Sequence, residues 1–381
     1  MTNELIKKVE NYFKSKFEET PLLVSSPGRI NLIGEHTDYN EGFVFPAAID
    51  KGIVSAIGHS TKNLCTAFAM DMEEEYEFSL DEIHPIPNGN WRNYIVGVVG
   101  ELKKMGVEIS PFNVVFAGNI PKGAGLSSSA ALENSIVFGL DKLFDLNLSK
   151  HEMILISQKA EHNYVGVRCG IMDQYASMFG EKNHALLLDC RTQESTLFQL
   201  NFNDYGIMLI NTNVSHNLVD AEYNDRRKVC EKVAEILKVN FLRDATEDML
   251  NDIKDVITPI EYQKALYVVQ ENERVLKAAH AIENHDLDDL GTLLYEAHYG
   301  AQHQFKISCP ELDFLVEQAK TYSIVKGARM MGGGFGGCTI NIVLKAKMEF
   351  YAERISKDYY NEFDKHCSIY HVNLSQGTHL V

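Results

Sequence analysis

Apolar positions come in two rhythms along this chain, and the rhythm changes near its middle. In the first half, short apolar runs at residues 53–57, 112–116 and 185–188 are bounded by Gly, Pro or charge, which predicts buried strands. Between them, residues 92–104, 128–143 and 150–165 repeat apolar side chains at helical spacing and predict amphipathic helices. A further strand-like stretch spans 186–200, and 207–210 opens a second block. That block is richer in long helical patterns, at 217–237, 261–280 and 312–322. It closes with strand 340–344, helix 348–363 and strand 368–372. The change of rhythm predicts an α+β chain of two domains, 1–198 and 199–381, with the functional cleft between them.

Composition adds constraints. A chain of 381 residues exceeds what one hydrophobic core commonly organises, in keeping with two domains. Apolar residues at 45% and charged residues at 23% mark a globular protein. No tract reaches the ~20 apolar residues of a membrane span, and the opening residues mix charge with helical spacing instead of forming a signal-peptide core. A cytoplasmic protein is expected. The 36 Lys and Arg against 53 Asp and Glu leave a net charge of −17, which repels phosphate backbones and anionic lipids. Neither nucleic acid nor membrane is an expected partner, and any phosphate site must make its positive potential locally. The seven cysteines include no Cys-x-x-Cys pair, so reduced thiols are expected. No sustained heptad or interface stripe is visible, so a monomer or weak oligomer is expected.

Three segments carry candidate chemistry. Residues 119–132 (NIPKGAGLSSSAAL) follow a strand pattern and run into a helical one. Gly123 and Gly125 permit positive φ, while Ser127, Ser128 and Ser129 offer hydroxyls and caps at the first turn. Free N–H groups and the helix dipole there would make a phosphate site, although an ordinary capped helix after a glycine turn has the same composition. Residues 26–42 (SPGRINLIGEHTDYNEG) pack Arg29, Glu35, His36 and Asp38 between glycines. So polar a stretch is expected to face solvent or a ligand. Its carboxylates could grip hydroxyls, and Arg29 could offer a fork of donors to phosphate. Residues 327–344 contain Gly332, Gly334 and Gly337 in Gly-x-Gly-x-x-Gly spacing. They precede a strand instead of a helix, so a dinucleotide fingerprint is rejected; a glycine loop closing over a ligand or a tight strand-to-strand turn is expected.

Together the three segments resemble the signature motifs of the small-molecule kinase superfamily that contains galactokinases, homoserine kinases, mevalonate kinases and phosphomevalonate kinases. Residues 28–39 (GRINLIGEHTDY) look like the galactokinase signature in particular. Further similar stretches are 91–94 (WRNY), 160–174 (AEHNYVGVRCGIMDQ), 188–191 (LDCR), 221–227 (AEYNDRR), 271–274 (ENER) and 308–313 (SCPELD), so the resemblance spans nearly the whole chain. It implies an N-terminal ribosomal protein S5 domain 2-like domain and a C-terminal ferredoxin-like domain. It further implies Mg²⁺- and ATP-dependent phosphorylation of the anomeric hydroxyl of galactose, the first committed step of galactose catabolism. Carried over by position, Arg29 and Asp173 would flank the reacting hydroxyl, and Glu35, His36, Asp38, Gly170 and Tyr223 would line the sugar pocket. Ser129 and Glu161 would hold Mg²⁺; Gly123, Ala124, Gly125, Leu126, Ser127 and Ser128 would cradle the phosphates, with Ser129 next to them; Trp91 and Tyr94 would flank adenine.

The chain departs from the family pattern at Met331, where a Thr is common, and at 300–306, which is commonly more acidic. Two other readings compete. One is a relative acting on another sugar, such as N-acetylgalactosamine or arabinose, because a pocket wall discriminates small additions only modestly. The other is a non-catalytic sensor that binds sugar and ATP and contacts a regulator; the uninterrupted Gly-Leu-Ser-Ser-Ser-Ala run favours the enzyme.

Overall fold

The computed structural model describes residues 2–121, 123–214 and 219–381, with the backbone alone for 219–221. Strand Pro46–His59 extends well beyond the 53–57 run in both directions, because Ala47, Ala48 and Ile49 continue its buried face. It pairs with Leu22–Asn31 on one side and Phe112–Gly118 on the other, at the centre of a six-stranded sheet. The edge beyond Phe112–Gly118 adds Cys65–Ala69 in parallel and then Glu74–Phe78. At the opposite edge lies His379–Leu380, the last strand of the chain, paired with the first.

The pairing of Leu22–Asn31 with its neighbour slips between Pro27 and Arg29. Pro27 has no amide to donate to a ladder, and a Cβ on Gly28 would lie 2.5 Å from the Leu126 carbonyl oxygen. The bulge therefore brings the backbone against the 119–132 loop, where Arg29 N–H donates to the Leu126 oxygen at 3.1 Å. Helix Ser128–Phe144 leaves that loop and packs across strands Leu22–Asn31 and Pro46–His59. The predicted helix 150–165 is α-helical over Lys150–Ala160, held at its start by a Ser149/Glu152 capping box. It then widens into a π-helical turn, Glu161–Val165.

The second half contains a four-stranded antiparallel sheet in the order Val325–Met330, Cys338–Leu344, Tyr205–Asn211, Ser368–His371. Numbered along the chain this is 2-3-1-4, a βαββαβ unit whose first crossover is enlarged into several helices, as the ferredoxin-like expectation requires. The helix described after the first strand is Val219–Leu237; the predicted start at 217 lies outside the described residues. Helices Pro259–Glu283 and Pro310–Thr321 match predicted patterns, whereas Leu287–Gly300 had no predicted counterpart. A third sheet joins Phe43–Val44, His184–Asp189 and Glu194–Gln199. The two halves share apolar packing: Ile30, Leu32 and Phe45 belong to one buried cluster with Leu209, Val275 and Ile340. All seven cysteines are unpaired, and no helix among the described residues is long and apolar enough to cross a membrane.

Helix Leu287–Gly300 crosses strand Val325–Met330 at two glycines. A Cβ on Gly291 would lie 2.0 Å from the Lys326 carbonyl oxygen, and one on Gly327 would lie 2.6 Å from the Gly291 Cα. A backbone oxygen cannot rotate aside as a side chain can. Gly291→Ala is expected to lower unfolding stability by about 1–3 kcal/mol in chemical denaturation, the usual cost of overpacking. A loss below about 0.5 kcal/mol, typical of surface changes, would show that the crossing is not a close contact.

Candidate functional site

The bulge aims Arg29 into the cleft. Its Nε and Nη2 each donate to one oxygen of Asp173 at 2.8 Å, and Nη1 donates to the Gly125 carbonyl oxygen at 2.5 Å. Asp173 sits in the first turn of helix Met172–Phe179 and also accepts from the Ser127 hydroxyl. One guanidinium thus ties the signature strand, the glycine–serine loop and Asp173 together. Burial opposes its charge, but the attraction of Asp173, Glu35 and Asp38 outweighs burial and raises its pKa.

Around this fork lies a cavity of about 210 Å³. Arg29, Glu35, His36, Asp38, Gly170, Asp173 and Tyr223 all line it, and so do Ser129 and Glu161, so the residues picked from the sequence for sugar, base and metal converge. The polar stretch 26–42 was expected to face solvent or a ligand. Glu35, His36 and Asp38 are only 2%, 3% and 9% exposed, so they face the cavity and not bulk solvent. Gly170 lies so close to Asp38 that a Cβ would be 2.0 Å from the carboxylate Oδ2. Burial, reinforced by Asp173, pushes the Asp38 carboxyl up to about 7. Burial lowers His36 to about 4, so the imidazole is neutral. Glu133, one helical turn beyond Ser129, is fully buried, and desolvation together with Glu161 holds its carboxyl well above the usual range.

The loop 123–129 presents and hides its residues in turn. Ala124 and Leu126 are buried in the core shared by the two halves, so only their backbones can face a phosphate. Gly123 and Gly125 adopt φ of +67° and +66°, as the sequence pattern requires. Ser127 departs from its expected capping role: it stands at the helix N-cap with φ 58° and makes no capping bond, because its hydroxyl goes to Asp173. Strained backbone of this kind at a non-glycine residue persists where surrounding contacts enforce it.

A second, mainly apolar cavity of about 170 Å³ adjoins the loop, lined by Trp91, Tyr94, Met72, Ser128, Ser129 and Leu132 among others. Trp91 is 5% exposed, belongs to the main apolar core, and its Nε1 donates to Glu74 at 2.8 Å. It is therefore a core residue that also borders the cavity. Tyr94 lines both cavities. The third glycine segment is the connection between strands Val325–Met330 and Cys338–Leu344. Gly333, Gly334 and Gly337 face Gly123 and Gly125 across a further cavity of about 200 Å³. Met331, the departure from the Thr pattern, is 1% exposed and packs in the shared core with Ala124 and Leu126.

Sequence reasoning missed Arg329, which is almost fully buried and donates to Glu35 Oε1 at 2.9 Å. It also missed Val167, Cys169 and Met172, which line the main cavity. All three stood inside the quoted 160–174 stretch, but none of these residue types signals sugar binding.

The chain is similar to known proteins along nearly its whole length. Residues 11–59 match the family described as the galactokinase galactose-binding signature. Residues 93–181 and 278–361 match the GHMP kinases N terminal and GHMP kinases C terminal families. A galactokinase of Clostridium acetobutylicum is 38% identical over 383 residues, covering 98% of each chain. A galactokinase of Thermosipho africanus is 40% identical over 354 residues, 93% of this chain and 98% of that one. The crystal structure of Lactococcus lactis galactokinase complexed with galactose superposes with a TM-score of 0.94 at 33% identity, over 98% of both chains. The Methanococcus jannaschii mevalonate kinase, at 18% identity and a TM-score of 0.64 over 94% of this chain and 99% of its own, shares the fold.

His36 and Asp38 act on stability with opposite signs. His36 is harder to protonate when folded, so its contribution is complete above about pH 6.5 and is lost as pH falls toward 4. Asp38 is harder to ionise when folded, so stability is lost as pH rises from the model-peptide region, 3.8, to about 7. Asp38→Asn removes only the second slope. Relative to the parent chain, the variant should gain about 4 kcal/mol between pH 4 and pH 8, read by urea denaturation at both ends. A difference that does not change with pH would contradict the buried position of this carboxylate.

Proposed function

This chain belongs to the galactokinase family, and we propose that its cleft transfers the γ-phosphoryl group of ATP to the anomeric hydroxyl of galactose, giving galactose 1-phosphate. The observation that carries the proposal is the Arg29–Asp173 fork, held between the glycine–serine loop and the polar cavity. A sugar in that cavity would meet Asp38, Glu35, His36 and Tyr223 as hydroxyl partners. Asp173, whose carboxylate is fixed by three donors, would accept the proton of the attacking hydroxyl or orient it. Three of the five Arg29 donors are engaged with Asp173 and Gly125, which leaves two for the transferring phosphoryl oxygens. The amides at 123–128 and the start of helix Ser128–Phe144 would receive the phosphates, with Trp91 and Tyr94 beside the base.

A divalent cation, Mg²⁺, fits the donor set. Ser129 and Glu161 both line the main cavity, and their oxygens would suit a hard cation. Among the described residues no group of three or more His, Cys, Asp or Glu could hold a metal alone, so phosphate oxygens and water would complete the coordination. When bound, the cation neutralises charge on the phosphates; the chain itself supplies alignment, the proton acceptor and the Arg29 donors. Free thiols and an acidic surface suit the cytoplasm, where ATP and Mg²⁺ are available.

With Mg·ATP, ADP release should be fast with galactose and yield an acid-labile 1-phosphate, against little release with glucose, N-acetylgalactosamine, arabinose, homoserine or mevalonate. Silence with every sugar, while galactose and ATP still bind, would favour a sensor. Asp173→Asn should keep galactose binding within about threefold and lower turnover by about 10²–10⁴, the usual worth of a positioned base. Near-normal turnover of that variant would remove the base role.

A further inference from the structure

Glu35 and His36 line the sugar-side cavity, yet both also hold the third glycine loop. Glu35 Oε1 accepts from the Gly332 N–H at 2.8 Å and from Arg329 Nη2 at 2.9 Å, while Oε2 makes neither bond. His36 Nε2 lies 3.1 Å from the Gly333 carbonyl oxygen, and Nδ1 lies 2.7 Å from the Tyr39 hydroxyl. A carbonyl can only accept, which puts the single proton of the neutral ring on Nε2 and lets Tyr39 donate to Nδ1. On its other side the loop rests on the phosphate loop, where a Cβ on Gly332 would come 3.3 Å from the Gly125 carbonyl oxygen.

Arg329 is what sets this arrangement. It is the last residue but one of the strand that leads into the loop, is 1% exposed, and lies outside the lining of the cavity. Its donors reach the Leu32 oxygen at 2.7 Å, the Asn31 oxygen at 2.9 Å and the Met330 oxygen at 2.6 Å, besides Glu35. Two ions so deeply buried are costly unless their hydrogen bonds are satisfied, and here the guanidinium joins both halves of the chain while meeting the carboxylate.

We propose that Arg329 is a positioning residue that locks Glu35, His36 and the Gly332–Gly333 backbone into one unit, so that sugar and nucleotide bind cooperatively. The proposal rests on the sugar-kinase reading of the cleft. A sugar hydroxyl on the free oxygen of Glu35 orders that carboxylate, and the same carboxylate holds the Gly332 amide. The loop then loses less freedom when phosphates arrive between it and the 123–129 loop, which is a coupling through shared ordering. Such coupling is reciprocal: galactose must tighten the nucleotide by the factor that the nucleotide tightens galactose.

Isothermal titration calorimetry of the full chain tests this, with Mg²⁺ and a non-hydrolysable ATP analogue measured with and without saturating galactose, and the converse. The wild-type chain should show the same tightening from both directions, about 5–50-fold. Arg329→Lys keeps the charge but not the planar fork, and should reduce the factor to below about twofold while circular dichroism and thermal melting remain those of a folded chain. Where that variant does not fold, His36→Phe keeps the ring contacts with Tyr223 and Phe305, removes the bond to Gly333, and should lower the factor as well. A wild-type factor of one, a folded Arg329→Lys chain with unchanged coupling, or one that loses sugar binding altogether, overturns the proposal. A wild-type chain that binds no galactose at all fails at the earlier step, the reading of the cleft, and the coupling falls with it.

Discussion

A single buried guanidinium organises the cleft. The chain carries a net charge of −17, and the cavity is walled by Glu35, Asp38, Glu161 and Asp173, so it would reject a triphosphate without fixed positive charge. Arg29 is a fixed positive charge in the lining of that cavity. Its own position depends on a short chain of causes: Pro27 breaks the ladder, Gly28 lets the strand approach Leu126, and the bulge turns the next side chain toward Asp173. Any residue with a Cβ at 28 would push the strand off the phosphate loop and separate the two motifs that Arg29 joins.

The groups around the fork are costly to keep in the folded chain. A carboxyl raised to about 7, an imidazole lowered to about 4 and a fully buried Glu133 each oppose burial of charge. A core built for stability alone would replace them with apolar side chains. His36 and Asp38 line the cavity, where a polar ligand would offer each a new hydrogen bond.

Much of this was legible in the sequence, for reasons that differ by element. The signature strand and the serine-rich loop announce themselves because Gly, Ser and charged residues cluster where an ordinary core would be apolar, whereas Asp173 came only from the family resemblance. Helices such as Pro259–Glu283 follow from periodicity and a Thr-Pro-x-Glu start. The return of His379–Leu380 to the first strand is a two-residue pairing across the whole chain length, and no local pattern encodes it. Helix Leu287–Gly300 was missed because it is broken by Gly291, which reads as a weak helix former until its crossing with Gly327 is seen. The π-helical turn beginning at Glu161 shares helical periodicity with the α-helix before it, so only coordinates separate them. Arg329 was passed over because an arginine in a strand next to a glycine run usually reads as surface; its partners are mostly backbone carbonyls, which sequence does not display.

The third glycine segment shows why spacing alone does not define chemistry. Gly332, Gly334 and Gly337 match a dinucleotide-binding pattern, but that pattern works by leaving amides free at the head of a helix. Here the loop runs from strand to strand, and several of its amides are already in use: Met331 donates to the Cys338 oxygen, Gly332 to Glu35, Phe335 to the Ile307 oxygen and Gly337 to the Val214 oxygen. Those bonds fix the shape of the loop instead of receiving a pyrophosphate. The second segment is the one with the geometry of a helix-head site, since its positive-φ glycines run directly into helix Ser128–Phe144. The glycines of the third segment have a different use, which is to let one backbone lie against another without side chains between them. A closely seated loop of this kind can transmit the state of the sugar site to the phosphate site, whereas a loop padded by side chains would absorb the same displacement.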